Sequence, residues 1–210
     1  MDRKEYWDKI YSTKSPEQVS WHQEYPATSL KFIEELNLSQ SAKIFDNGAG
    51  DSYLVDNLLK RGFNNITVQD ISNEALLKVK KRLGTNAEKI RWIVDDEAHC
   101  NPGRQYDLWH DRAAFHFLTE ENEITEYVHT LTNCIKPGGY FVIATFSESG
   151  PQMCSGLKVK QYSELKMEKL LASGFRKVKC INEDHITPFN TKQNFLFCTF
   201  KREQLNVNNN

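Results

Sequence analysis

The spacing of hydrophobic positions changes about forty residues into the chain. Before that point it is helical. Aromatic residues at positions 6, 7 and 11 predict one face of a helix over residues 5–11. Apolar residues at 27, 30, 32, 33 and 36 predict a second over 27–36, and Ser15-Pro16 breaks the first. From residue 42 onward, short apolar runs alternate with longer periodic segments. Strands are predicted over 42–46, 65–70, 90–94, 106–110 and 140–146. Helices are predicted over 53–60, 73–83 and 120–135, the last closed by Lys136-Pro137-Gly138-Gly139, and a further one over 163–173, ended by Gly174. Two late strands, 175–181 and 194–200, have no helix between them and read as a long hairpin. Alternating strands and helices predict an α/β fold with a mostly parallel sheet covered on both faces, and the hairpin adds one antiparallel strand. Such sheets bind ligands beyond the carboxyl ends of their strands, here the loops after Asp46, Asp70, Val94 and His110.

Composition narrows the class. The 210 residues are 39% hydrophobic and 26% charged, the balance of a folded chain able to bury its own core. With 27 basic against 28 acidic residues the net charge is -1, which argues against a polybasic partner of nucleic acid or membrane. No apolar stretch has the length of a membrane span, and the opening twelve residues lack the apolar core of a signal peptide. No linker or repeat divides the chain. One domain is expected over 1–204, with a helical N-terminal lid over about 1–40 and a disordered tail at 205–210. Five scattered cysteines, odd in number and without CxxC spacing, argue against a disulfide framework and a thiolate metal site, and point to a reducing cytoplasm.

Three acidic or glycine-rich points stand at strand ends. Asp46-Asn47-Gly48-Ala49-Gly50-Asp51 follows the first predicted strand, where glycines let backbone approach a ligand. The third glycine of a dinucleotide turn is replaced by Tyr53, and Asp51 at the helix start opposes a phosphate. A nicotinamide cofactor is therefore disfavoured, and a cationic, non-phosphorylated adenosine ligand is favoured. Asp70, twenty positions after Gly50, has the placement of a ribose-binding carboxylate; its structural alternative is a helix N-terminal acid, although Ser72 or Asn73 already serves as cap. Asp95-Asp96-Glu97 is either a solvated loop or a cluster awaiting a donor such as an adenine amino group.

In this order and spacing, Asp46-x-Gly48-x-Gly50, Asp70, Asp96, Tyr106-Asp107-Leu108-Trp109 and Lys136-Pro137-Gly138-Gly139 resemble the class I, seven-strand S-adenosylmethionine-dependent methyltransferases. The resemblance covers about residues 42–200. It implies a Rossmann-like sheet of order 3-2-1-4-5-7-6 with strand 7 antiparallel, and S-adenosyl-L-methionine as cofactor. It also implies Gly48 and Gly50 beside the methionine portion, Asp70 on the ribose and Asp96 on the adenine. The cofactor set expected on these grounds is Trp21, Asp46, Gly48, Gly50, Asp70, Ile71, Asp96, Glu97 and His110. A closer resemblance, to small methyltransferases of uncharacterised substrate, rests on Tyr6-Trp7, Val19-Ser20-Trp21, the block from His110 to Leu118, the block from Phe146 to Pro151, and the block from Thr187 to Phe195. The opening is also similar to that of elongation-factor lysine methyltransferases. Asn47 departs from the family, whose members carry a small apolar residue there, and is expected to alter cofactor affinity.

Methyl transfer from a sulfonium is an in-line displacement, and the protein's task is mostly positioning. Trp7, Tyr11 and Trp21 are placed either to close over the cofactor as an aromatic lid or simply to pack a helix on the sheet. His110, His116 and His185 are the candidate general bases, each with a structural role as its alternative; for His116, between Phe115 and Phe117, that is a packed core histidine. Arg112 either pairs with Asp111 or anchors a carboxylate. No metal site is expected, and the lone Cys154 after the fifth strand reads as a buried small hydrophobe. His110-Asp111-Arg112-Ala113 stands where methyltransferases of exocyclic base nitrogens carry Asn/Asp-Pro-Pro-Tyr, so no nucleic acid and no membrane partner is expected. The acceptor is read as a small molecule or a protein, with protein lysine methylation and a non-catalytic cofactor-binding scaffold as alternatives. Oligomeric state is left open.

Overall fold

The computed structural model describes residues 2–204. The chain opens with α1 (Arg3–Thr13) and α2 (Ala27–Glu34). It then alternates β1 (Lys43–Asn47), α3 (Leu54–Lys60), β2 (Asn65–Asp70), α4 (Asn73–Leu83), β3 (Ile90–Val94) and β4 (Tyr106–Arg112). It continues with α5 (Glu121–Cys134), β5 (Ile135–Phe146), a two-residue pair β6 (Met153–Cys154) and β7 (Leu157–Lys158), α6 (Glu164–Leu171), β8 (Phe175–Ile186) and β9 (Lys192–Arg202). The seven-stranded sheet has the order β3-β2-β1-β4-β5-β9-β8, with β9 antiparallel to β5 and to β8. This is the predicted topology, the small β6–β7 pair being an addition within the chain between strands five and six.

The strands are apolar on both faces, because period 2 sends neighbours to opposite sides and both sides are covered. Ile44, Leu108, Val142 and Ala144 pack with Leu30, Ile33, Leu54, Leu58, Leu76 and Val79 of α2, α3 and α4. Their neighbours Phe45, Trp109, Phe141 and Ile143 pack on the other side with Ile124, Tyr127 and Leu131 of α5 and Met167 and Leu171 of α6. The helix starts follow their caps: the Ser72 hydroxyl accepts from Ala75 N, and that of Ser163 from Lys166 N.

Two expectations need correction. Lys136-Pro137-Gly138-Gly139 does not lie beyond the helix as a closing turn. It forms the start of β5, where the β4 register shifts between Tyr106 and Leu108 and Gly138 takes φ +81°. Cysteine spacing also misled. Cys180 and Cys198 lie opposite one another on β8 and β9 and form a disulfide. Their pairing is set by strand register, which linear spacing does not reveal, and the argument for a reducing compartment from five free thiols falls with it. Cys100, Cys134 and Cys154 are free and buried. Among the described residues, no helix is long and apolar enough to cross a membrane. The expected disordered tail at 205–210 lies outside the described residues.

Candidate active site

The carboxyl ends of β1, β2 and β4 sit side by side, with Asp46 opposite His110 and Asn47 opposite Asp111. Beyond them opens a cavity lined from α1, the turn after β1, the end of β4 and β9. The backbone of its floor is built by glycine. Gly48 and Gly50 have φ +57° and +58°, and a Cβ at Gly48 would lie 2.2 Å from that of Ala114. The buried Gln69 side chain holds this turn: its Oε1 accepts from Gly48 N at 3.0 Å, its backbone carbonyl accepts from Ala49 N, and its amide donates to the Asp95 carbonyl. Asp70 completes the cradle, accepting from Gly50 N at 2.7 Å and from Ser72 N at 2.8 Å. Arg82 of α4 fixes the far side of the turn by donating to the carbonyls of Asp51 and Ser52 and pairing with Asp56.

Carboxylates dominate the interior. Asp46, Asp51, Asp70 and Glu97 all line the cavity and are all buried. Burial pushes Asp70 up to about 7 and Glu97 up to about 8, against only partial relief from their hydrogen bonds. Trp7, Tyr11, Trp21, Phe117 and Ile71 form the apolar wall, with Trp7 packed edge-on to Phe117 at 5.0 Å and to Trp21 at 5.8 Å. Acids with no lysine or arginine partner beside aromatic faces suit a cation that also offers hydroxyl and amino hydrogens. They oppose a phosphate.

Helix α1 lies across this wall and is tied down along its length. Arg3 pairs with Asp96 at 3.2 Å and with Glu123 at 2.6 Å. Asp8 accepts from the Ser72 hydroxyl at 2.7 Å and from Glu74 N at 3.3 Å, at the start of α4. The Tyr6 hydroxyl donates to the Ser155 carbonyl. Tyr11 comes so close to the turn that a Cβ at Gly50 would lie 2.4 Å from its hydroxyl.

The residues expected from sequence divide accordingly. Trp21, Asp46, Gly48, Asp70, Ile71, Glu97 and His110 line the cavity, and Gly50 lies beneath Tyr11 at its floor. Asp96 does not line it: its carboxylate pairs with Arg3 and accepts from Ala98 N, so of the acidic cluster it is Glu97 that faces inward. Asn47 is fully buried behind the turn, donating to Asp111 at 2.9 Å; Asp111 also accepts from the Tyr127 hydroxyl at 2.7 Å. The departure at Asn47 thus serves a buried polar network and does not face the cavity. The histidines are not free bases. His110 Nδ1 lies 2.8 Å from Asp46 and Nε2 lies 3.0 Å from the Ser29 hydroxyl, so both nitrogens are engaged. His116 is fully buried outside the cavity, stacked on Phe146 at 4.2 Å, and burial lowers it to about 3. His185 Nε2 donates to the Ser20 carbonyl at 2.7 Å, tying β8 to the N-terminal segment, and burial lowers its pKa. Arg112 makes no pair with Asp111, since adjacent strand residues point to opposite faces; its Nη1 donates to the Trp21 carbonyl at 2.9 Å.

Sequence reading missed Ser29, Gln69 and Arg82, and assigned no role to Gln193 and Phe195 although both lie in the block from Thr187 to Phe195 that carries the closer resemblance. Ser29 was detectable as a polar residue beside the apolar positions of α2; Gln69 and Arg82 act through long-range register and carry no local signal. Among the described residues, no group of three or more His, Cys, Asp or Glu is placed to hold a metal ion.

Comparison with known proteins agrees with this geometry. Residues 45–141 match the family model described as a methyltransferase domain. The chain is 26% identical over 167 residues to EEF1A lysine methyltransferase 2 of Danio rerio, an alignment covering 71% of each protein. It is 28% identical over 118 residues to malonyl-[acyl-carrier protein] O-methyltransferase 2 of Ilyobacter polytropus, covering 56% of this chain and 43% of that protein. The fold superposes with a TM-score of 0.69 on the N-methyltransferase NodS of Bradyrhizobium japonicum in complex with S-adenosyl-L-homocysteine, at 13% identity over 97% of this chain and 100% of that one. A methyltransferase domain over residues 45–141, the order of the sheet and a cavity built for a hydroxyl-bearing cation converge: the protein is an S-adenosylmethionine-dependent methyltransferase, and S-adenosylmethionine is its cofactor.

Proposed function

We propose that this enzyme methylates a small-molecule acceptor bound under its N-terminal lid. The observation that carries the reading is the closure of the cavity's acceptor side. Three ties join the N-terminal residues to later elements there: His185 of β8 to the Ser20 carbonyl, Arg112 of β4 to the Trp21 carbonyl, and Tyr6 of α1 to the Ser155 carbonyl. A chamber fenced on these sides suits a compact acceptor better than an extended chain segment.

In this reading the acidic residues serve the cofactor. Asp70 takes the ribose hydroxyls, Glu97 the adenine amino group, and Asp46 and Asp51 face the positively charged methionine portion. When bound, the cofactor supplies an electrophilic methyl group on a sulfonium. Trp7, Tyr11, Trp21 and Phe117 exclude water and present aromatic faces to that positive charge. His110, held between Asp46 and Ser29, orients the β1–β4 edge of the cavity and is a positioning residue, not a base.

Protein lysine methylation is the second reading, favoured by the likeness to EEF1A lysine methyltransferase 2. The acidic cluster at 95–97 offers a lysine side chain little, because Asp96 is neutralised by Arg3 and Glu97 faces inward. The two separate in one experiment. The enzyme is incubated with methyl-labelled S-adenosylmethionine and either the metabolite fraction or the protein fraction of a lysate. Label is expected in the metabolite fraction. Label confined to protein would establish the second reading.

A further inference from the structure

Arg112 is the one arginine or lysine that lines the cavity, and among the described residues it forms no ion pair: Glu183 of β8 acts on it only at longer range and accepts from the Thr28 hydroxyl at 2.5 Å. Every acid that lines the cavity is engaged elsewhere or faces the cofactor, and among the described residues no carboxylate lies within ion-pair distance of this guanidinium. Its Nη1 is used on the Trp21 carbonyl, but its Nε is buried with no hydrogen-bond partner. Below it lies the ring of Phe195, 5.1 Å from the guanidinium carbon. Two residues along β9, on the same face, Gln193 also lines the cavity, and its Oε1 is buried without a partner. Burial lowers Arg112 to about 10, so it stays charged at neutral pH. A buried charge with an unused donor is costly unless something fills the gap.

We propose that Arg112 is the anchor for a carboxylate on the acceptor, and that Gln193 receives an N–H or O–H of the same molecule. The acceptor is then a small amino- or hydroxy-carboxylic acid. One guanidinium beside a neutral amide matches a monoanion, and among the described residues no second arginine or lysine lines the cavity to balance a phosphate. The same charge repels a lysine ammonium. This assignment rests on the small-molecule reading above.

The test fractionates the metabolite extract of the cells that make the protein on an anion-exchange resin before the label-transfer assay. Acceptor activity is expected in the retained fraction, to survive alkaline phosphatase, and to be lost when carboxylates are converted to amides by carbodiimide and methylamine. With that fraction, Arg112→Gln should lower kcat/KM at least tenfold, the worth of one charge-assisted hydrogen bond, and Arg112→Lys should recover part of it. S-adenosylhomocysteine affinity, read by calorimetry, should stay within about threefold, the scatter expected for a residue outside that contact. Gln193→Glu, which leaves the Trp21 contact intact, should depress turnover at pH 7 by charge repulsion and recover as the pH is lowered. Acceptor activity in the unretained fraction, or surviving amidation, overturns the carboxylate assignment while leaving a small-molecule enzyme. Loss of activity to phosphatase overturns it in favour of a phosphate. Label only in protein overturns both. If Arg112→Gln loses cofactor affinity as steeply as turnover, and Gln193→Glu changes nothing, Arg112 merely holds the Trp21 loop and the proposal fails.

Discussion

Asp70 shows how much one carboxylate does before any cofactor arrives. Its two oxygens each accept a backbone N–H, from Gly50 and Ser72, and so set the spacing between the glycine turn and α4. Burial nevertheless raises it to about 7, and Glu97 to about 8. Hydroxyl and amino donors favour the ionised carboxylates, so cofactor binding near pH 7 is expected to release protons. Calorimetric titrations of S-adenosylhomocysteine in buffers of different ionisation enthalpy measure this directly, and affinity should rise between pH 6 and pH 8. A heat that is the same in every buffer would show that neither acid changes its protonation on binding. Asn47 makes the opposite point. Its one hydrogen bond supports the buried Asp111, and the cavity lies on the other side of the turn. Asn47→Ala should cost about 1–3 kcal/mol in urea unfolding, the penalty of an under-satisfied buried group, with cofactor affinity nearly unchanged. A large loss of affinity with full stability would restore the view that Asn47 tunes the pocket.

Helix α1 covers the cavity through contacts made almost entirely by side chains with other elements. Arg3 reaches the β3–β4 connection and α5, Asp8 the start of α4, and Tyr6 the β6–β7 turn. Its residues are therefore placed to govern how long a cofactor stays more than how tightly the cradle grips it. Arg3→Ala with Asp8→Ala removes the ties at the start and middle of the helix and should speed S-adenosylhomocysteine release by about tenfold, the factor that corresponds to 1.4 kcal/mol. Release is followed by stopped-flow fluorescence of Trp7 and Trp21, which face the cavity. An unchanged off-rate would mean that α1 packs on α4 without gating, the plainer of the two readings open from sequence.

At the scale of the whole molecule, the buried acids couple the cavity to stability. Asp70 and Glu97 titrate higher in the folded protein than in an unfolded chain, where carboxylates titrate near 4. Between about pH 4 and pH 8 the native state therefore holds protons that the unfolded state has lost. The contribution of these groups is fully present below that window and is lost as pH rises through about 7 and 8. The cofactor-free enzyme should have a lower urea midpoint at pH 8.5 than at pH 6. Glu97→Gln should reduce the difference, and saturating S-adenosylhomocysteine should diminish it too. An equal midpoint at both values in the wild type would show that the cavity acids are already ionised in the free protein.

Alternation of strands and helices, the glycine turn and Asp70 were legible in the sequence because they are local. Period 2 against period 3.6 distinguishes strands from helices, a cap stands beside its own helix, and a strand-to-helix turn needs its glycines in place. From these the order of elements and the end of the sheet where the cavity opens could be read directly. What the tertiary structure alone decided depends on register and on crossings between distant segments. Asp96 and Glu97 are neighbours, yet one turns to Arg3 and the other into the cavity. Cys180 and Cys198 meet because β8 and β9 pair in one register and not the next. His110 is engaged because α2 brings Ser29 over it, and Arg112 meets Phe195 because β9 returns beside β5. A sequence states which groups are available, but only the folded chain determines which of them remain unpaired.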